Sequence, residues 1–224
     1  MKHGILLAAL CGTLLAPAPA PALELAVVGR VNVPVTSLKD IKFKRTTRQQ
    51  YDYSCGAAAV STLLSHHYAT PVPEQDVFQE MYTTGDKTKI HKEGFSLLDM
   101  QRFLAKRGFR ADGFKLPIEK LIAEKLPAIV LITDRGFNHF VVVKGAEDGR
   151  ILIGDPSTGN RVVSMERFQE IWRNKILFVI HSHKEGIAFN NADDWRGAPR
   201  APLGTGMHQD QLSASLPKFG PGDF

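Results

Sequence analysis

The sequence predicts an α+β domain in which N-terminal helices pack on an antiparallel β-sheet, and three observations lead there. Residues 55–67, rich in Ala, Leu and Ser, and residues 96–106, opening on Ser96-x-x-Asp99, read as helices. Beyond residue 128 the chain changes to short β-branched runs: Ala128–Thr133, Phe137–Val143, Arg150–Ile153 and Lys175–Ile180. The pairs Asp148-Gly149 and Gly159-Asn160 read as hairpin turns between them. Helices first and strands second is the α+β order, not a βαβ alternation.

Taken in order, the first segment is an address. Lys2 and His3 precede the apolar run Gly4–Ala16, and an Ala-Pro-Ala series closes at Ala22. That is the layout of a secretory signal peptide cleaved after Ala22, with Ala20 as the next possible site, so the mature chain is expected to be exported. Residues 24–36 read as a strand, and Ile41 and Phe43, alternating with Lys42 and Lys44, as an edge strand with lysine gatekeepers. Helices are expected at Cys55–His67, Pro73–Met81, Ser96–Lys106 and Pro117–Glu124, with a short one near Glu166–Trp172 and a polar loop at Thr83–Glu93. From Ile187 the chain holds five Gly and four Pro in 38 residues, a composition expected of a mobile or loosely docked tail. The expected organisation is a signal peptide at 1–22, one domain at 23–185 and a tail at 186–224.

Composition narrows the function classes. Of the 224 residues, 43% are hydrophobic and 23% charged, as in a globular chain and unlike a disordered one. The formal charge of +5 comes from 28 basic and 23 acidic residues and is not gathered into the Lys/Arg blocks of a nucleic-acid binder. No run reaches the ~18 apolar residues of a membrane-spanning helix, so no stable membrane insertion is expected.

Of the two cysteines, Cys11 leaves with the signal peptide, and Cys55 remains as a lone thiol. A lone thiol in an exported chain is exposed to oxidation and mispairing. Cys55 reads either as a small buried hydrophobe or as a nucleophile. Its place where loop gives way to helix favours the second, because free N–H groups and the helix dipole lower a thiol pKa.

A nucleophilic thiol needs a base. His66 and His67 lie roughly 16–18 Å along the same helix and are excluded by distance. His181 and His183 lack an obvious carboxylate partner and read as exposed. His139 stands in an otherwise apolar strand, Phe137-Asn138-His139-Phe140-Val141-Val142-Val143. A hairpin at Asp148-Gly149 would bring Asp155 back toward it, to fix the imidazole tautomer. Alternation adds a condition: the two share a face only if the hairpin has an odd-length turn or a bulge. Singly, His139 also reads as a satisfied core histidine and Asp155 as a turn-capping residue.

Together, Gln49-Gln50-Tyr51-Asp52-Tyr53-Ser54-Cys55-Gly56, Asn138-His139-Phe140-Val141-Val142 and Asp155-Pro156 resemble the C39 peptidases, the double-glycine leader peptidases, over roughly residues 40–182. The resemblance implies a papain-like fold with Cys55 as nucleophile, His139 as base and Asp155 as the residue orienting that base. It also implies that Gln49 donates to the oxyanion beside the Cys55 N–H. Two departures stand out: Ser54 replaces the Asp usual before the cysteine in transporter-fused members, and no membrane or ATPase domain accompanies the chain. The sequence is more similar to stand-alone periplasmic peptidases of functional-amyloid (Fap-type) export systems. The expected partner is therefore a polypeptide substrate, an amyloid subunit or its outer-membrane secretion partner, with no cofactor and no metal. The rivals are a catalytically idle C39-like domain that binds leader or cargo segments, and a thiol acyltransferase using the same residues.

Overall fold

The computed structural model describes residues 36–183 and 185–198, so the expected signal peptide and, apart from Thr36, the strand expected at 24–36 lie outside the described residues. From Ser37 onward the elements run α1 (Leu38–Phe43), α2 (Cys55–His67), α3 (Glu74–Thr84), α4 (Lys87–Glu93) and α5 (Leu97–Lys106). They continue through β1 (Ala111–Phe114), α6 (Ile118–Glu124), β2 (Ala128–Asp134), β3 (Phe137–Glu147), β4 (Arg150–Asp155) and β5 (Gly159–Ser164). The last are α7 (Met165–Ile171), β6 (Leu177–Ile180) and α8 (Ala192–Arg196). The strands form one six-stranded sheet in the order β1-β6-β2-β3-β4-β5, with every pairing antiparallel.

Each face of the sheet carries its own core. On one face α2 packs Ala57, Val60, Leu63 and Leu64 against Ile129, Val142, Phe178 and Ile180, with α3 and α5 adding Val77, Met81, Met100 and Phe103. The other face, Val130, Ile132, Val141, Val143, Ile151 and Ile153, is covered by Ile118 and Leu121 of α6 and by Phe168 and Ile171 of α7. Nearly every α2 residue is buried, the pattern of a helix enclosed on all sides rather than lying on a surface. Burying each of its leucines contributes about 1.5–3 kcal/mol, which fixes the height at which Cys55 begins the helix.

The structure corrects several local expectations. Ile41 and Phe43 are helical, not strand: Ser37 caps α1 by accepting from Asp40 N–H, which outweighs the alternating pattern. The expected loop at Thr83–Glu93 holds the end of α3 and all of α4, which Asp86 caps by accepting from Thr88 and Lys89 N–H. Gly159 and Asn160 are not the turn. The reversal falls on residues 156–158, and both belong to β5, paired with Asp155 and Gly154. The segment expected as a tail is docked in its described part, where α8 buries Asp194 completely. The capping box at Ser96 and Asp99 forms as read.

The β3–β4 hairpin carries one irregularity that matters for the site. Gly145 pairs with Leu152 and Val143 with Ile153, so Lys144 is an extra residue in β3, a β-bulge. Past the bulge Val142 pairs with Gly154. Successive side chains alternate faces, so Asp155 falls on the face that His139 occupies. In the unbulged register Val143 would face Gly154, and Asp155 would point to the opposite face. The structure meets the parity condition with a bulge.

Candidate active site

Cys55 is the first residue of α2, and Ser54 precedes it as N-cap without capping the helix. The Ser54 hydroxyl turns back instead, accepting from Tyr51 N–H and donating to Tyr51 O, both at 3.1 Å, which closes the turn before the cysteine. A Cβ at Gly56 would meet the Met100 methyl at 2.7 Å and Phe95 Cβ at 3.1 Å, so the Met100 side chain would have to shift to admit it. The Cys55 sulfur lies within reach of the Phe140 N–H, the residue after His139, and of the Gly56 N–H. The loop before it is tied to the sheet by Gln49 N–H, which donates to Pro156 O at 3.1 Å.

His139 and Asp155 meet as the hairpin reading required. The His139 Nε2–H donates to Asp155 Oδ2 at 3.1 Å. Asp155 is buried, and its second oxygen accepts from Ser157 N–H at 2.9 Å and Ser157 Oγ–H at 2.7 Å. Burial works against its charge, yet the bonds from His139 and Ser157 outweigh it and hold the carboxyl well below the usual carboxylate range. An ionised Asp155 selects the His139 tautomer with the proton on Nε2, leaving Nδ1 as the basic nitrogen.

The thiol departs from the expectation of an acidic, accessible cysteine. Cys55 is 8% exposed, and burial pushes its pKa up, opposed by the Phe140 and Gly56 N–H groups and reinforced by the negative charge of Asp155. The desolvation that the helix-start argument omits wins, so the resting sulfur carries its proton. Deprotonation must then accompany transfer to a base.

Gln49, His139 and Asp155 line one cavity of about 840 Å³, together with Asn138 and Arg161. In this structure the Gln49 amide donates to Tyr51 O at 3.1 Å. Gln50 instead lines a separate hollow beside Glu74. One residue of the site was missed in the sequence: Arg161, whose Nε lies 3.3 Å from Asp155 Oδ2 and whose guanidinium also reaches Asp134 at 3.1 Å. Nothing in its local sequence marks it, since its role comes from β5 pairing with β4. His66 and His67 lie at the far end of α2 from Cys55. His181 does have a carboxylate partner, Asp112, at 2.6 Å, contrary to the sequence reading. Among the described residues no group of three His, Cys, Asp or Glu side chains could hold a metal ion, and no helix is long and apolar enough to cross a membrane.

A buried helix that opens on a cysteine, with an antiparallel sheet carrying a His–Asp pair beside it, makes the fold that of the papain-like C39 peptidase domains. The model of the peptidase C39 family matches residues 44–184, and the chain belongs to that family. A probable functional amyloid protease FapD of Pseudomonas fluorescens is 39% identical over 146 residues, 65% of this chain and 64% of that protein. Its counterpart in Pseudomonas aeruginosa is 37% identical over 152 residues, 68% of this chain and 67% of that protein. The match thus spans just under two thirds of the first relative's length. Among solved structures, the peptidase domain of Streptococcus ComA shares the fold with a TM-score of 0.52 at 23% identity, covering 62% of this chain and 98% of that domain.

Proposed function

We propose that this protein is a cysteine peptidase that hydrolyses a peptide bond in an exported polypeptide of a functional-amyloid system, acting in the periplasm after loss of residues 1–22. The observation that carries the reading is the His139–Asp155 hydrogen bond on a strand whose next residue, Phe140, turns its N–H toward the Cys55 sulfur. Family membership and the relatives named as functional amyloid proteases support it.

In this reading the Cys55 sulfur attacks the scissile carbonyl as its proton passes to His139 Nδ1. Asp155, bonded at Nε2, stabilises the imidazolium that results. The Cys55 N–H and the Gln49 amide, once released from Tyr51 O, donate to the oxyanion. Collapse expels the amine, which takes the proton from His139, and leaves a thioester on Cys55. Water, deprotonated by His139, then hydrolyses the thioester and frees the enzyme. The elevated thiol pKa fits attack coupled to proton transfer rather than a standing thiolate.

The test is intact-mass analysis of exported polypeptides from strains carrying wild type, Cys55→Ala or His139→Ala. The proposal expects a precursor to replace a mature species in both variants. Full processing in both would leave an idle binding domain as the better reading.

A further inference from the structure

The chain beyond residue 184, where the family match ends, returns to the sheet at the β3 bulge. The Lys144 carbonyl accepts from Asn190 N–H at 3.0 Å. Ala146 N–H donates to Asn190 Oδ1 at 2.7 Å, and Asn190 Nδ2 donates to Ala146 O at 2.9 Å. One asparagine, held at φ 57 in the left-handed region that Asn tolerates, thus forms three hydrogen bonds around the extra residue. Gly145 permits the approach, because a Cβ there would overlap Asn190 Oδ1.

The bulged side chain is held from below. Lys144 is fully buried, and its ammonium lies within hydrogen-bond distance of Asp194, Arg45 O, Asn160 Oδ1 and Thr46 Oγ1, sharing its three N–H groups among them. Asp194, also fully buried, lies 3.2 Å from Arg45 Nε. A buried ammonium without its carboxylate is strongly disfavoured, so losing α8 would drive Lys144 toward water and away from its bulged position. A shift to the unbulged register would carry Asp155 to the wrong face of the sheet.

We propose that residues 186–198 form a clamp on the β3 bulge, with Asn190 and Asp194 as positioning residues for the His139–Asp155 pair. The clamp's bearing on catalysis rests on the reading of that pair as catalytic; its bearing on geometry does not. Two readouts keep the parts separate: the His139 imidazole nitrogen shifts by NMR, and the rate of Cys55 alkylation by iodoacetamide. Asn190→Ala removes the two hydrogen bonds that the exposed Asn190 side chain makes with Ala146 and keeps the backbone bond to Lys144 O; no charge is stranded, so the fold stands. A second variant, Lys144→Met with Asp194→Leu, removes both members of the buried pair, while Arg45, the other partner of Asp194, is partly exposed and keeps its bond to His66 O.

In both variants the single Nε2–H tautomer of His139 should give way to a mixture. Alkylation at neutral pH should fall about ten- to a hundredfold, with no further loss when Asp155→Asn is added. An unchanged His139 spectrum in both variants would overturn the clamp. So would clamp variants that slow alkylation by the same factor in an Asp155→Asn background as in wild type. A changed spectrum with an unchanged rate would keep the clamp and overturn the catalytic reading.

Discussion

His139 donates through Nε2 to Asp155 Oδ2 at 3.1 Å because Lys144 adds one residue to the strand that carries His139. A site that sequence spacing makes plausible thus depends on a single-residue irregularity. Its consequences are measurable at the thiol, at the carboxylate and at the oxyanion loop.

Cys55 alkylation by iodoacetamide should depend on His139. With burial pushing the thiol pKa up, His139→Ala should slow alkylation at neutral pH and leave a half-point above the ordinary thiol value of about 8.5. An unchanged rate and profile would show that His139 does not take the Cys55 proton.

Gln49→Ala should lower turnover by ~10²–10³-fold, because the amide acts on charge that forms only in the transition state. Gln50→Ala should do little, since its side chain lines a different hollow from the one shared by Gln49, His139 and Asp155. The check is kcat for the processed polypeptide, with alkylation of Cys55 as the control that the thiol is intact. Equal effects at the two positions would remove the oxyanion assignment.

Asp155→Asn should reduce turnover less than Cys55→Ala, since the imidazole keeps a neighbour but loses the charge that fixes its tautomer. Its stability signature has a definite sign. The folded carboxyl titrates below its unfolded value, so Asp155 stabilises the fold above about pH 4, and that contribution is lost as the pH falls further. Thermal unfolding across that acid range should be flatter in Asp155→Asn than in wild type.

A second acid-sensitive point lies at the far end of α2. Burial, aided by the charges of Lys144 and Arg45, pushes His67 down to about 3 from 6.5, and its Nδ1–H donates to Ala188 O. A base with a depressed folded pKa stabilises fully above 6.5 and progressively less as pH falls toward 3. Tm should therefore drop between about pH 6.5 and 4.5, before most carboxylates titrate, and His67→Gln should flatten that drop. An identical slope in His67→Gln would show that His67 is not buried in its neutral form.

Much of this was legible in the sequence, for physical reasons that can be named. The α2 helix and the Ser96 capping box are local, and β2, β3 and β4 announce themselves by β-branched runs. The sequence singles out Cys55, His139 and Asp155 because each breaks its local pattern: a lone thiol at a helix start, a histidine in an apolar strand, an Asp-Pro after a hairpin. Helix α1 was missed although Ser37-x-x-Asp40 repeats the spacing of Ser96-x-x-Asp99, because alternating lysines imitated an edge strand. Strand β1, Ala-Asp-Gly-Phe, has no β-branched residue and forms by pairing with β6. The docking of α8 was illegible because it rests on a buried ion pair between Lys144 and Asp194, fifty positions apart, in a stretch whose Gly and Pro content suggested a free tail. The rise in the Cys55 pKa follows from packing that spacing does not encode.

The most direct measurement is the mass of each exported polypeptide in a strain carrying Cys55→Ala, set beside wild type and a full deletion. A small side chain at the start of α2 leaves the fold intact, so the variant protein should accumulate normally. The account predicts that Cys55→Ala matches the deletion, with an unprocessed precursor in place of the mature species. Normal processing in Cys55→Ala alongside failure in the deletion would contradict it and leave a binding role in place of catalysis.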